Sequence, residues 1–448
     1  MVRFSLILSL CFLYILQSFI KSDGLIIVFD IVAVMVYLFL FPLLDHKQKK
    51  FTLTLFLTGI VIHFFVGDSG IALFQGITQN MALLAILVLA PLLSVPLKRE
   101  GVMDTVVFYL NGLKNNPRNI FYGISSFMLI LAPILNMGAL RIVHGFVEKI
   151  KITPNILSNS YYYGFTPAVM WSPFFASVGI VVYYLDITYI SYVAVGAIFA
   201  LIQIAIGYSI LRPRSFENSN NVTGREQEVP LNIHQKKHLS LLIVFVFGLV
   251  ALLIVLEQLT NKSMLLLVSV VCLIIPIIWV LLRKRTNVIM EEVAQYKDRV
   301  IMQKTEICLF LSAGLFGNAI SHTPIKGHLE QIMQWSATKS VGILFLFIIV
   351  FVTLMAFLGV HQIIVIPLII TSLNLSEIHI SAVIIAFMCI FTWMLSSAIS
   401  PLNAMNIIIS QCVRKNGLTV AFRWNGKYFL TLTGMAFLYV YIVSWVGI

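Results

Sequence analysis

Apolar and polar positions alternate in blocks along this chain, not residue by residue. Apolar runs long enough to cross a bilayer occupy 4–20, 24–43, 51–66, 79–97, 188–211, 238–257, 262–282, 305–322 and 428–446. Four further blocks, 119–143, 156–185, 340–373 and 379–411, are also apolar but are interrupted by proline, glycine and small polar residues. Backbone inside hydrocarbon must find its hydrogen bonds within the protein, so a central proline marks a helix that breaks or a chain that turns back. The pattern predicts an all-α membrane fold of about eleven spanning helices, with 156–185 and 379–411 as broken spans and 119–143 and 340–373 as re-entrant hairpins.

The interruptions recur at a fixed interval. Trp171-Ser172-Pro173-Phe174-Phe175-Ala176 breaks one block and Ser400-Pro401-Leu402-Asn403-Ala404 breaks another. The separation of Pro173 from Pro401 equals that of Pro96 from Pro324. Repetition of this kind predicts two structural repeats, 24–211 and 238–448, preceded by an extra first helix within 1–23. The polar segment 212–237 has no hydrophobic period and reads as a cytoplasmic linker. No small-x-small cleavage pattern follows Phe4–Ile20, so that segment reads as a retained helix, not a signal peptide.

Charge sets the orientation. With the N-terminus in the cytoplasm and each hairpin entering and leaving on one face, the inner segments are 1–3, 44–50, 98–118, 141–153, 212–237, 283–304 and 412–427. These hold every Lys and Arg of the chain except Lys21, Lys262, Lys326 and Lys339. The bias follows the positive-inside rule and places the C-terminus outside. Asn221-Val222-Thr223 then lies inside, and its match to a glycosylation sequon is by chance. The second helix enters the face that its counterpart, the seventh, leaves, so the repeats are inverted. Two amphipathic stretches read as surface helices: 101–113, with Val102, Val106, Leu110 and Leu113 on one face, and 327–337, with Leu329, Ile332 and Met333 opposite Glu330, Gln331 and Gln334.

The composition, 60% hydrophobic and 11% charged with a mean hydropathy of +0.98, excludes a soluble domain. The net charge of +12 resides in short loops that set topology and does not indicate a nucleic-acid partner. Cys11, Cys272, Cys308, Cys389 and Cys412 show no CxxC spacing and read as inert thiols. No GxxxxGK[ST] loop is present, which argues against nucleotide-driven pumping by this chain, and no cofactor is expected.

The candidate chemistry lies at four interruptions. A broken helix presents N–H groups and positive potential at one half-helix end and freed carbonyls at the other, suiting an anion and a cation respectively. In the first hairpin, Asn136 reads either as a satisfied turn residue or as a ligand contact. The first break offers Thr166, Ser172 and Pro173, and the prolines at 167 and 173 predict an unwound stretch between them. The second hairpin offers His361 and Gln362, and an ionisable group at membrane depth is a functional candidate. The second break is the most polar, with Ser396, Ser397, Ser400, Asn403 and Asn406 clustered around Pro401. Asp30, far from the breaks, reads as scaffold. His63 and Glu257, near helix ends, are expected to reach water. Asn318, Ser321 and His322 read as interface or vestibule, and Arg141 and Lys149 as anchors first and anion attractants second.

With Ser172-Pro173, Ser400-Pro401-Leu402-Asn403-Ala404 and Gly359-Val360-His361 in place, the chain resembles the ion transporter superfamily, which includes divalent anion:sodium symporters, C4-dicarboxylate and gluconate-type permeases and arsenite pumps. The resemblance covers nearly the whole chain at the level of topology. It implies that hairpin tips and broken helices of both repeats form one substrate and cation site, with those roles on Asn136, Ser172, His361, Ser400 and Asn403. It also implies a homodimer with an elevator-like transport motion. The chain departs from the pattern in two respects. Neither hairpin has the Ser-Asn-Thr tip of the divalent anion:sodium symporters, and Gln362 stands where dicarboxylate-type permeases often place proline.

The expected function is secondary transport of a small organic anion, a mono- or dicarboxylate, coupled to sodium or protons. An exporter or a cation/proton antiporter of the same fold is the nearer alternative. An antiporter usually needs a buried carboxylate, and only Asp30, away from the breaks, is on offer. An intramembrane enzyme or a cell-envelope assembly protein is the more distant one; the chain has neither HExxH nor Gly-x-Gly-Asp.

Overall fold

The computed structural model describes residues 2–20, 22–74, 76–112, 117–148, 152–210, 233–283, 286–323, 325–374, 378 and 380–447. Most of the linker, with its sequon, and Pro324 and Lys149 lie outside the described residues. In chain order the α-helices are α1 Val2–Phe19, α2 Asp23–Leu40, α3 His46–Val66, α4 Met81–Leu89, α5 Ser94–Arg99, α6 Val102–Gly112, α7 Pro117–Leu135, α8 Met137–Val147, α9 Pro154–Trp171, α10 Ala176–Tyr184 and α11 Tyr189–Ile210. They continue as α12 Ile233–Thr260, α13 Met264–Leu282, α14 Thr286–Met302, α15 Lys304–Ser321, α16 Ile325–Lys339, α17 Val341–Phe357, α18 Gln362–Thr371, α19 Ala382–Ile399, α20 Ala404–Val413 and α21 Gly426–Val446.

Local chemistry sets the helix bounds. Asp45 and Gln48 form a capping box that opens α3, and Gly67, at φ 106°, closes it in the left-handed conformation that glycine adopts without penalty. Pro154 opens α9, where its missing N–H costs nothing. Ser340 and Ser381 cap α17 and α19 by accepting from Gly342 N and Ile384 N.

This is a membrane protein. Among the described residues, eleven helices are long and apolar enough to cross a bilayer, or twelve if the pair Glu292–Met302 and Lys304–Ile320, bent by 52°, is one span. The eleven include Arg118–Leu135, which the sequence pattern assigns to one arm of a hairpin. The expected span 305–322 enters only through the bent pair.

The chain divides into two compact units, each drawing on both halves of the sequence. One comprises Met1–Val95, Lys262–Gln334 and Pro367–Asn374; the other comprises Pro96–Asn261, Trp335–Ile366 and Leu375–Ile448. In the first unit, α3 packs against α15, where Gly59 brings its backbone beside Leu315 and Phe316. Tyr37 stacks on Phe56 at 4.3 Å, Tyr296 OH donates to Val88 O at 2.7 Å, and Thr78 Oγ1 donates to Asp30 Oδ1 at 2.8 Å. Asp30 thus serves the scaffold of this unit. His63 does not reach water as expected. It is 1% exposed and its Nδ1 lies 2.8 Å from Asp68 Oδ2, because the loop after Gly67 folds the carboxylate back over the helix end.

In the second unit, α9 is the spine, buried from Ile156 to Met170 and packed against α7, α11, α19 and α20. Small residues permit the approach. A Cβ at Gly164 would collide with Ser125 O, and one at Gly207 would press on Tyr163. Glu257, also expected in water, is 6% exposed. Both its carboxylate oxygens accept from Tyr189 N, at 3.0 and 3.1 Å, so a negative charge caps the N-terminus of α11. The amphipathic stretch 101–113 is α6. Val102, Val106 and Leu110 are buried, Thr105 bonds His238 of α12 at 2.9 Å, and Leu113 lies outside the described residues. The stretch 327–337 lies within α16, where Leu329 and Met333, both of the first unit, are buried and Ile332 is exposed.

Two outcomes follow. Replacing Glu257 with Gln removes the charge at the α11 N-terminus and lowers stability by about 1 kcal/mol, read as a lower midpoint of thermal unfolding in detergent. Gly164→Ala costs more than an ordinary Gly→Ala change within a helix, which is normally stabilising by about 0.5–1 kcal/mol, and the same assay gives it the opposite sign.

Candidate functional site

Both interruptions expected to be broken helices are broken, and they share one geometry. The bounds of the helix before each break and the start of the helix after it recur at one constant interval: Pro154 and Ala382, Trp171 and Ile399, Ala176 and Ala404. It is the interval between the two Ser-Pro pairs. Ser172 and Ser400 leave their helices in extended conformation, at φ −72°, ψ 129° and φ −74°, ψ 126°. Each serine then does two jobs. Its hydroxyl accepts from the N–H two residues on, Phe174 or Leu402, at 3.3 Å. The same hydroxyl donates to a carbonyl of a neighbouring element, Ser172 to Pro133 O at 2.7 Å and Ser400 to Ala356 O at 2.8 Å.

Those acceptors belong to the last turns of α7 and α17, the longer members of two helix pairs. In the first pair α7 and α8 meet at Asn136, which sits at φ 50° and ψ −135° and accepts from Met137 N at 2.8 Å. Asn tolerates positive φ better than most residues, and here the side chain satisfies its own turn. In the second pair α17 and α18 are joined by Leu358–His361, with Gly359 at φ 88°. This turn lies over the second break: a Cβ at Gly359 would stand 3.6 Å from Leu402, and the His361 ring packs edge-on to Trp393 at 6.1 Å. His361 Nδ1 accepts from Ile363 N at 3.2 Å.

The unwinding expected between Pro167 and Pro173 is confined to Ser172–Phe175. Helix α9 runs through Pro167, because one missing N–H does not break a helix so tightly packed. Thr166 is consumed within this packing, donating to Tyr162 O at 2.9 Å and meeting Tyr428 OH at 3.0 Å. Pro173, Phe174 and Phe175 are buried.

The second break is more open, with Leu402 57% exposed. Asn406, expected to face a ligand, is satisfied internally. Its Nδ2 donates to Ala398 O at 2.9 Å and Gly417 O at 3.3 Å, and its Oδ1 accepts from Ser410 Oγ at 2.9 Å. Asn403 and Ser397 are 6% and 7% exposed, and neither side chain makes a hydrogen bond among the described residues. Asn403 stands at the N-cap of α20 without capping it, leaving its amide and the first N–H groups of that helix available. Gln362 is fully buried. Its Nε2 donates to Ser396 Oγ at 2.8 Å, whereas its Oε1 has no partner.

Beside the second break lies an open cleft of about 400 Å³, lined by Pro401, Asn406, Ser410, Arg414, Lys415 and Gly417 among others. Gly417 is required there, since a Cβ would run into Asn406 Oδ1. Arg414 reaches Glu148 at 3.7 Å with both side chains largely exposed, a pair worth little. Sequence reasoning passes over this cleft and over Tyr162, whose hydroxyl donates to Ala398 O at 2.9 Å. A tyrosine in a row of three gives no signal of its own. Four cysteines are buried and Cys412 is partly so, all as thiols. No cluster of three or more His, Cys, Asp or Glu suited to a metal occurs among the described residues.

Compared with known proteins, the sequence matches no family model and no curated protein.

The two serine joints set an expected outcome. Ser172→Ala leaves the buried Pro133 O without its hydroxyl donor and destabilises by about 1–3 kcal/mol, whereas Ser400→Ala costs less because Ala356 O keeps the Gly359 N–H at 3.2 Å, both measured by thermal or denaturant unfolding in detergent. Ser397→Ala, which loses no bond, changes stability by no more than about 0.5 kcal/mol.

Proposed function

We propose that this protein is a secondary transporter of the ion transporter type, moving a small organic anion, a mono- or dicarboxylate, driven by a gradient of sodium or protons. The observation that carries the reading is the duplication of a serine-pinned helix break at the repeat interval, each break tied to the end of a neighbouring helix pair. In the proposed arrangement the two pairs, α7–α8 and α17–α18, are re-entrant hairpins. The two repeats have inverted topology, the N-terminus is cytoplasmic and the C-terminus is outside. The protein works as a homodimer with an elevator-like motion. Each proposed hairpin has a longer and a shorter arm, 19 and 11 residues in one and 17 and 10 in the other, which supports a common origin.

The division of labour at the second break follows from helix electrostatics. The N-terminus of α20, with the uncommitted Asn403 amide, offers donors to a carboxylate. The C-terminus of α19 offers carbonyl oxygens to a cation. His361 stands on the turn over this break, placed to contact the anion or carry a coupled proton. The cationic cleft at Arg414 and Lys415 raises the local concentration of anions beside the break. Alternating access then carries the loaded site across the bilayer.

Purified protein in liposomes, given labelled mono-, di- and tricarboxylates under an imposed sodium or proton gradient, tests the reading. Gradient-driven uptake of one anion is expected, and it falls at least about tenfold in a His361→Ala, Asn403→Ala double variant. Absence of uptake for every carboxylate under both gradients rejects anion import and favours an exporter or a role outside transport.

A further inference from the structure

Each break deprives three carbonyl oxygens of their helical partners, and the loss has the same origin in both. In the first, Pro173 has no N–H for Val169 O, Phe174 N turns to Ser172 Oγ instead of Met170 O, and Phe175 N turns to Ser172 O instead of Trp171 O. In the second, at the equivalent positions of the repeat, Ser397, Ala398 and Ile399 lose theirs to Pro401, Leu402 and Asn403 in the same way.

The repair differs. In the first break every freed carbonyl is capped by a hydroxyl: Ser177 Oγ donates to Val169 O at 3.3 Å, Tyr192 OH to Met170 O at 2.7 Å and Tyr189 OH to Trp171 O at 2.6 Å. In the second only the middle one is capped, Ala398 O, by Tyr162 OH and Asn406 Nδ2. The position matching Ser177 is Met405, which has nothing to donate. Ser397 O and Ile399 O receive no side-chain donor among the described residues. A carbonyl left unmet in hydrocarbon is costly. On the same helix, Ser396 accepts from Gln362 Nε2 at 2.8 Å, and Gln362 keeps a buried amide oxygen with no partner.

We infer that the two breaks are not equivalent: the first is closed to ligands, and the second holds a single monovalent cation, with Ser397 O, Ile399 O and Gln362 Oε1 as its oxygen donors. The inference rests on the transporter reading and gives it a coupling stoichiometry of one. Neutral oxygens at the negative end of a helix suit a hard cation. A divalent ion is disfavoured because neither 340–373 nor 379–411 contains an Asp or Glu. The first break has the same backbone, but each of its freed carbonyls already has a hydroxyl donor, so the two-fold repetition of the fold does not extend to the ion site.

The test is equilibrium binding of radioactive sodium to the full-length protein in detergent, without substrate and with choline replacing sodium at constant ionic strength. A saturable isotherm with one ion per chain is expected. Gln362→Leu weakens it by at least about tenfold, whereas a Tyr189→Phe, Tyr192→Phe double variant, which alters only the first break, stays within about twofold. Gln362→Glu, which keeps the donor oxygen and adds charge, binds sodium at least as tightly as the native protein and guards against loss of binding through misfolding. Two ions per chain, unchanged affinity in Gln362→Leu, loss of binding in the tyrosine variant, or no sodium binding at all would each overturn the inference. Gradient-driven anion uptake in a protein that binds no sodium removes the single-cation site and leaves the transporter reading standing. Sodium binding with no uptake of any anion does the reverse.

Discussion

The structure depends on one constraint, that peptide groups at membrane depth must be satisfied by the protein itself. A continuous helix meets it automatically. A break does not, and each of the two breaks here exposes three carbonyl oxygens and several N–H groups that a helix would have used. The serine at each break answers part of that demand with a single hydroxyl, accepting from the backbone after the break and donating to the helix beside it. Tyrosines meet much of the rest. Tyr162, Tyr189 and Tyr192 each aim a phenol at a freed carbonyl. Phenols suit this position because their rings pack as apolar surface while the hydroxyl reaches across to the neighbouring backbone.

Close helix contact is what lets those hydroxyls reach. Gly164, Gly196 and Gly207 remove the side chains that would hold α9 away from α7 and α11. The aromatic cluster of Phe199, Phe345, Phe387, Phe391 and Tyr439 fills the space among α11, α17, α19 and α21. With lipid as apolar as leucine, such packing and hydrogen bonding, more than burial of apolar area, hold the helices together.

Much of this is legible in the sequence because hydrophobic blocks and prolines are local signals. Ser-Pro pairs in apolar blocks mark the breaks at Ser172 and Ser400, and the interval between those pairs reappears in the helix bounds. Partner choice is not legible, because it depends on residues distant in sequence. Asn406 reads as a binding residue until Gly417 and Ala398 are seen to occupy its amide. Glu257 and His63 read as solvent-seeking until Tyr189 N and Asp68 are found beside them. Pro167 reads as a second breaking point, but helix bonding persists through it because the surrounding helices fix the backbone. The sequence shows that a polar group is present in an apolar block; it does not show whether the group is already spoken for.

Ala398 O is a single acceptor serving two donors from different parts of the chain, Tyr162 OH and Asn406 Nδ2. It works as a rivet through α9, α19 and α20, holding the two broken helices at a common point. Neither donor can drift alone without leaving the other to bear the joint. In diverged copies of this chain, positions 162 and 406 should therefore change together, so that the history of the joint is written as paired variation at two sites far apart in sequence.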